Sequence, residues 1–353
     1  MIAGPLRISY TPYVLQFKEP GGTSRGVLTR KLTYFLKIEG AGYPYGTAYG
    51  EIPLFEGLSI ETRPMLEARL KELIKMTDED SLHQFYDISS LVFGVEQALG
   101  ALKSGNRGII FGSDFTRGTS DITINGLIWM GKFDVMKRRV EEKLKEDFGC
   151  IKIKIGAIDW EEELKLLRMV REIGGSQLTI RVDANGAFSP EDCLKKLDCL
   201  SRLNIHSIEQ PIKQGNLPEM KKICSESPIA VALDEELIGI PPGDYRSEIL
   251  EYVNPAYIIL KPALCYGFSG ASDWIERASK LGIDYWITSA LESSVGLDAI
   301  AQYTGSLSPS LPQGLGTGKL YTNNFKSPLS LNGEKLTFRG PADIYYPELD
   351  SLP

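Results

Sequence analysis

Five ionisable residues recur at one place in a repeating pattern: Lys154, Asp183, Glu209, Asp234 and Lys261, spaced 29, 26, 25 and 27 residues apart. Lys152 precedes the first by two. Three carboxylates brought together in a partly desolvated site repel one another unless a cation neutralises them. All-oxygen donors suit a hard divalent ion, and Mg²⁺ is the simplest choice, its other positions going to water and an anionic substrate oxygen. Lys154 comes before the carboxylates and Lys261 after them, so the two ammonium groups are expected to flank the metal from opposite sides. Beside a metal and a second cation, Lys152, the charged form of Lys154 is disfavoured, which lowers its pKa towards the range of a general base. Such a base removes a proton alpha to a carboxylate while the metal holds the resulting enediolate. The plainer reading of Lys152, that it pairs with a carboxylate, is compatible with this one.

Histidine is nearly absent. The chain has 353 residues and only His83 and His206. Acid/base chemistry in this protein therefore falls to Lys, Asp and Glu. A net charge of −7 without a basic run makes nucleic acid and anionic membrane surfaces poor partners. The five cysteines, Cys150, Cys193, Cys199, Cys224 and Cys265, show no C-x-x-C spacing, so reduced thiols are expected rather than a disulfide framework or a zinc ribbon. No leader pattern opens the chain and no apolar run approaches ~18 residues, which predicts a cytoplasmic protein. The expected partner is a small-molecule carboxylate; the sequence sets no oligomeric state.

The elements that must position these charges form a repeat. Apolar runs begin near Ile122, Cys150, Leu178, Ile205, Ile229, Ala256, Asp284 and Leu311, 24 to 28 residues apart, about what a strand, a helix and two loops need. Eight such units predict an α/β fold of the TIM type, with chemistry at the C-terminal ends of the strands. In Ile151-Lys152-Ile153-Lys154-Ile155 the period of two points both lysines into the barrel if the isoleucines face the helices. Arg181, Asp183 and Asn185 likewise share one face. Asp134 to Phe148 reads as a helix closed by Gly149, and Ser189-Pro190 opens another with Asp192 at the capping-box offset. The run at Leu311 is named a strand on its spacing alone.

Residues 1 to 115 lack the repeat. Leu6 to Phe17 and Val27 to Gly40 read as paired strands joined by the turn at Gly21 to Gly26, and Glu61 to Met76 as a helix. The polar stretch Gly112 to Ser120 marks the boundary of this α+β domain. The barrel is expected over 116–318, and residues 319–353 are expected to pack back on the N-terminal domain.

A K-x-K pair on the second barrel strand, then Asp, Glu and Asp on the next three and Lys on the sixth, resembles the muconate-lactonising subgroup of the enolase superfamily. Asp183 to Phe188 (DANGAF), Ile208 to Ile212 (IEQPI) and Tyr49 to Leu54 (YGEIPL) are similar to that subgroup as well. The resemblance implies a modified (β/α)₇β barrel with an N-terminal α+β capping domain and bound Mg²⁺ on Asp183, Glu209 and Asp234. Within the subgroup, Ile287 to Leu297 (ITSALESSVGL) most resembles the enzymes that dehydrate a succinyl-hydroxycyclohexadiene carboxylate to 2-succinylbenzoate in menaquinone synthesis. That implies Lys154 taking the alpha proton and returning it to the departing hydroxyl, with Lys261 stabilising the enediolate from the other face.

Substrate contacts have two readings each. Asn185 orients a ligand or lysine, or stabilises a turn. Ser289 and Ser293 hold a substrate carboxylate, or cap a helix. Gly316 lets backbone approach the ligand. Ser24 or Arg25, in the Gly21 to Gly26 loop, meets a second substrate carboxylate, that loop and Phe55 to Leu58 matching two loops that close over substrate in the superfamily. The same lysines and metal also serve racemisation of N-succinylamino acids, cycloisomerisation and dipeptide epimerisation. Dipeptide epimerases typically carry Asp-x-Asp at the eighth strand, where this chain has Gly314 to Gly318 (GLGTG). The remaining alternative is a barrel that binds without catalysis.

Overall fold

The computed structural model describes residues 5–23, 26–106, 108–129, 131–339 and 346–351. A long antiparallel hairpin, β1 (Leu6–Thr23) and β2 (Gly26–Gly40), pairs with β3 (Thr47–Pro53). Helices α1 (Arg63–Leu73) and α2 (Ser89–Lys103) follow. Thr62 caps α1, its Oγ1 accepting from the Met65 amide, and Pro64 sits in the first turn, so the helix expected from Glu61 starts two residues later. The core under this sheet includes Leu36, Ile38, Ile52, Leu70, Leu91 and Val95, all drawn from residues 6 to 102.

The repeat then folds as strand and helix alternately. The strands are β5 (Gly126–Ile128), β6 (Cys150–Lys154), β7 (Thr179–Asp183), β8 (Ser207–Glu209), β9 (Ala230–Leu233), β10 (Tyr257–Leu260) and β11 (Asp284–Ile287). The helices are α3 (Phe133–Lys145), α4 (Trp160–Gly174), α5 (Pro190–Ser201), α6 (Leu217–Glu226), α7 (Asp244–Val253), α8 (Gly267–Lys280) and α9 (Ser294–Leu307). Side-chain oxygens of Asp159, Ser189, Asn216 and Ser293 cap α4, α5, α6 and α9, so four of these turns end on a residue that starts a helix. In these strands Ile151, Ile153, Ile180, Val182 and Ile258 are buried on the helix side while the alternate side chains enter the barrel.

Three expectations need correction. The run beginning at Ile122 splits: β4 (Ile122–Thr123) joins a small antiparallel sheet with β12 (Leu329–Asn332) and β13 (Lys335–Phe338), and only Gly126–Ile128 enters the barrel. The eighth run forms no strand among the described residues. Gln313 and Gly314 instead make single parallel bridges to Ile124 and Thr288, and these close the seven-stranded sheet β11-β10-β9-β8-β7-β6-β5. Without Val or Ile to line a pleat, a Gly- and Pro-rich segment spans the gap with two contacts. Finally, the left-handed residue after α3 is Asp147 (φ 58°), not Gly149, whose amide donates to Glu334.

The tail returns to the hairpin: Phe17 bridges Tyr321, the Gln16 backbone amide donates to Asn323 Oδ1 while Asn323 Nδ2 donates to the Val14 carbonyl, and Lys37 pairs with Asp350 at 2.9 Å. Between the N-terminal sheet and the barrel, α9 carries Asp298, which is 3 % exposed and accepts from Tyr346 Oη at 3.2 Å.

Two outcomes follow from this packing. A Cβ on Gly50 would stand 2.0 Å from the Gly94 carbonyl oxygen, so Gly50→Ala must part β3 from α2. A loss of about 2–3 kcal/mol is expected in urea unfolding. Burial pushes the Asp298 carboxyl up to about 7 from 3.8. Its contribution to stability is therefore present below pH 3.8 and lost as pH rises through about 7. Asp298→Asn should gain stability relative to the parent between pH 5 and 8, read as a widening gap in urea midpoints.

Candidate active site at the barrel mouth

Lys154, Asp183 and Glu209 end β6, β7 and β8, and their register pairs Lys154 with Asp183 and Asp183 with Glu209 across neighbouring strands. Asp234 follows β9 and Lys261 follows β10 directly. One side chain per unit thus reaches the same rim. The carboxylates are 0 to 2 % exposed, and one oxygen from each lies within 4.8 Å of the others. Lys152 reaches Glu209 Oε1 and Oε2 at 2.6 Å and Asp183 Oδ2 at 2.8 Å. Lys154 donates to Asp183 Oδ2 at 2.6 Å and to Asn185 Oδ1 at 2.8 Å. Lys261 pairs with Asp234.

Charge decides what the rim can hold. Burial opposes the Lys152 ammonium, but Asp183, Glu209 and Asp234 outweigh it and raise its pKa; Lys152 is a fixed cation. Burial would raise Asp183, yet Lys152 and Lys154 hold it well below the usual carboxylate range. Glu209 moves the other way, pushed up by burial and by the Asp183 charge beside it. Burial also opposes the Lys261 ammonium, and Asp234 and Glu235 more than restore it. With every group ionised, three ammonium groups would meet four buried carboxylates, Glu235 being the fourth, and burial together with that one negative charge in excess pushes Glu209 and Glu235 up. All-oxygen donors, close approach and surplus negative charge fit a hard metal cation.

The turns after the strands hold this geometry. Gln210, at φ 38°, accepts from the amides of Asp234 and Glu236 and so ties the ends of β8 and β9 together. Asn185, at φ 44°, takes the Lys154 ammonium on Oδ1 and donates through Nδ2 to Glu235 at 2.9 Å. It stabilises the turn and orients the lysine at once. Below the rim, the Arg181 guanidinium lies 3.9 Å from the Trp286 ring centroid and donates to the Pro312 carbonyl, plugging the barrel interior.

A cleft of about 810 Å³, open to solvent, gathers Lys152, Lys154, Asn185, Glu209, Lys261, Ser289 and Gly316. Phe55 and Leu58 roof it from the N-terminal domain. Ser293 is a correction: it is fully buried, caps α9, and gives its hydroxyl to Glu51. A serine two residues before the helix amides it satisfies is drawn to the cap, away from the cleft. Ser24 and Arg25 lie outside the described residues. His83 meets the Tyr86 ring at a tilt of 59° in the N-terminal domain, and His206 stacks on Tyr257 before its strand begins.

Sequence reasoning missed Glu235, Trp129, Trp286, Asn125 and Thr317, all of which line the cleft. The doubled acid after Asp234 was the one available signal. It also missed Lys31 on β2, which is 7 % exposed and donates to the carbonyls of Ala290 and Leu291 at 2.8 and 2.7 Å. Leu291 is held at φ 63°, and Tyr321 bonds the same carbonyl. Beside it Glu51 of β3 accepts from the amides of Ser293 and Gly296. The N-terminal sheet thereby fixes the turn that carries Ser289, Ala290 and Leu291 along the cleft wall.

Residues 135–338 match the family described as enolase C-terminal domain-like. The chain is 44% identical to o-succinylbenzoate synthase from Desulfotalea psychrophila, over 93% of this chain and 98% of that protein. A crystal structure of MenC from the same organism superposes with a TM-score of 0.83 at 41% identity, covering 94% of this chain and 99% of the other. The substrate-liganded L-Ala-D/L-Glu epimerase from Bacillus subtilis shares the fold, with a TM-score of 0.84 at 19% identity over 97% of this chain and 98% of that one.

The hold of Lys31 on the cleft wall is open to test. Lys31→Met leaves two carbonyls without their charged donor, which should cost about 2–4 kcal/mol in urea unfolding.

Proposed function

The chain belongs to the enolase superfamily, and from that premise we propose that it dehydrates 2-succinyl-6-hydroxy-2,4-cyclohexadiene-1-carboxylate to 2-succinylbenzoate, as an o-succinylbenzoate synthase with Mg²⁺ at Asp183, Glu209 and Asp234. The full-length similarity to the Desulfotalea psychrophila synthase carries the choice among the superfamily's reactions. The cleft supports it: no acidic side chain lies between Gly314 and Gly318, where an epimerase would meet a substrate ammonium.

When bound, the divalent cation supplies positive charge to the substrate carboxylate, making the adjacent carbon acidic, and competes with Lys154 for the charge of Asp183. The chain's own residues do the rest. Lys154, aimed by Asn185, takes the proton alpha to the carboxylate on Nζ. The same ammonium returns it to the hydroxyl that leaves from the neighbouring carbon, so one group serves as base and then acid. Lys261, four strands away along the sheet, presents a second ammonium to the charge that develops on the substrate carboxylate. Lys152 stays protonated between Asp183 and Glu209 and holds the carboxylates in register. Phe55, Leu58 and Trp129 keep water from the reacting face.

The test is turnover of the cyclohexadiene acid by purified protein with Mg²⁺, run beside an N-succinylamino acid in deuterated water. Removing metal with a chelator should abolish activity and adding Mg²⁺ should restore it. Lys154→Met should slow turnover at least a hundredfold, by about the worth of a general base, while Mg²⁺ still binds. Absence of turnover and of alpha-proton exchange with either compound, in protein that binds Mg²⁺, would sink the proposal.

A further inference from the structure

The proposed substrate carries two carboxylates, and the metal site accounts for one. The other, at the end of the succinyl chain, must meet polar groups elsewhere on the wall. Lysine is not the answer: among the described residues, Lys152, Lys154 and Lys261 are the cations lining the cleft, and each is bonded to a carboxylate of the rim. Drawing one away would unpair a buried charge, a change costing several kcal/mol.

Two neutral side chains on the cleft wall have bonding capacity left over. Thr317, 5 % exposed, has a buried hydroxyl without a partner among the described residues. Asn125, 3 % exposed, leaves its carboxamide oxygen unbonded and reaches only the Gly126 carbonyl through Nδ2, at 3.4 Å. Both come from the seam where Gln313 and Gly314 close the barrel, the Asn125 amide donating to the Gln313 carbonyl. The two segments lie side by side: a Cβ on Gly316, the residue before Thr317, would make ordinary contacts at 3.5 Å with Ile124 Cδ1 and 3.8 Å with the Asn125 carbonyl oxygen. A buried hydroxyl left unpaired costs about 1–3 kcal/mol, and a carboxylate oxygen that accepts from the Thr317 hydroxyl recovers it. Asn125 can donate to the same carboxylate only through the second N–H of Nδ2, because its bare Oδ1 is an acceptor.

We propose that Thr317 and Asn125 are specificity-determining residues that bind the substrate's distal carboxylate through neutral donors, the Thr317 hydroxyl and the second side-chain Nδ2 N–H of Asn125. The assignment rests on the dehydration proposed above. It divides the cleft into a charged half at the ends of β6 to β10, where chemistry occurs, and a neutral half at the seam, which measures the length and charge of the side chain.

Thr317→Val keeps the shape and removes the hydroxyl. With the succinyl substrate it should lower kcat/KM about ten- to hundredfold, mainly through KM. With an analogue whose succinyl chain ends in methyl, a butanoyl group, the parent should be poor and the variant no worse. Thr317→Ser should recover most of the loss, and Asn125→Leu should show the same dependence on the distal carboxylate. Equal losses on both compounds, or none on either, overturn the inference while parental turnover leaves the proposed function standing. A parent inactive on the succinyl substrate removes both.

Discussion

Everything at the barrel mouth depends on the balance of buried charge. Four carboxylates and three lysines, all largely buried, sit within a few side chains of one another, and none is tolerable alone. Each lysine secures a different part: Lys152 binds two strands' carboxylates together, Lys154 is shared between Asp183 and Asn185, and Lys261 answers Asp234. With every group ionised the rim would carry one negative charge in excess, and a cation held by Asp183, Glu209 and Asp234 would neutralise it.

The barrel supplies this register, but it does not complete the cleft. The turn after β11 is shaped from the other domain, by Lys31 on its carbonyls and Glu51 on the amides of α9. A buried ammonium and a buried carboxylate that reach across an interface are costly unless their partners are in place. Seating the N-terminal sheet therefore also builds one wall of the cleft, with Phe55 and Leu58 as its roof.

The seam of the barrel serves a different purpose from the rim. Two single bridges close the sheet here, and beside them the Thr317 hydroxyl and the Asn125 carboxamide oxygen have no partner among the described residues. Irregular backbone at this point gives the cleft a neutral polar surface opposite the charged one.

What the sequence by itself determined was the register. Period-two alternation in Ile151 to Ile155 and charges every 25 to 29 residues require Lys154, Asp183, Glu209, Asp234 and Lys261 to meet, because a parallel sheet places equivalent residues at one edge. Helix starts such as Ser189-Pro190 were equally legible, being local chemistry. Tertiary structure decided whatever depended on partners distant in the chain. Ile122 left the barrel because β13 offered it an antiparallel edge; Ser293 turned to Glu51, 242 residues away; and Lys31 gained a role through carbonyls 259 and 260 residues on. Local pattern fixes which face a side chain takes, whereas its final partner depends on which distant groups the fold brings within hydrogen-bonding reach.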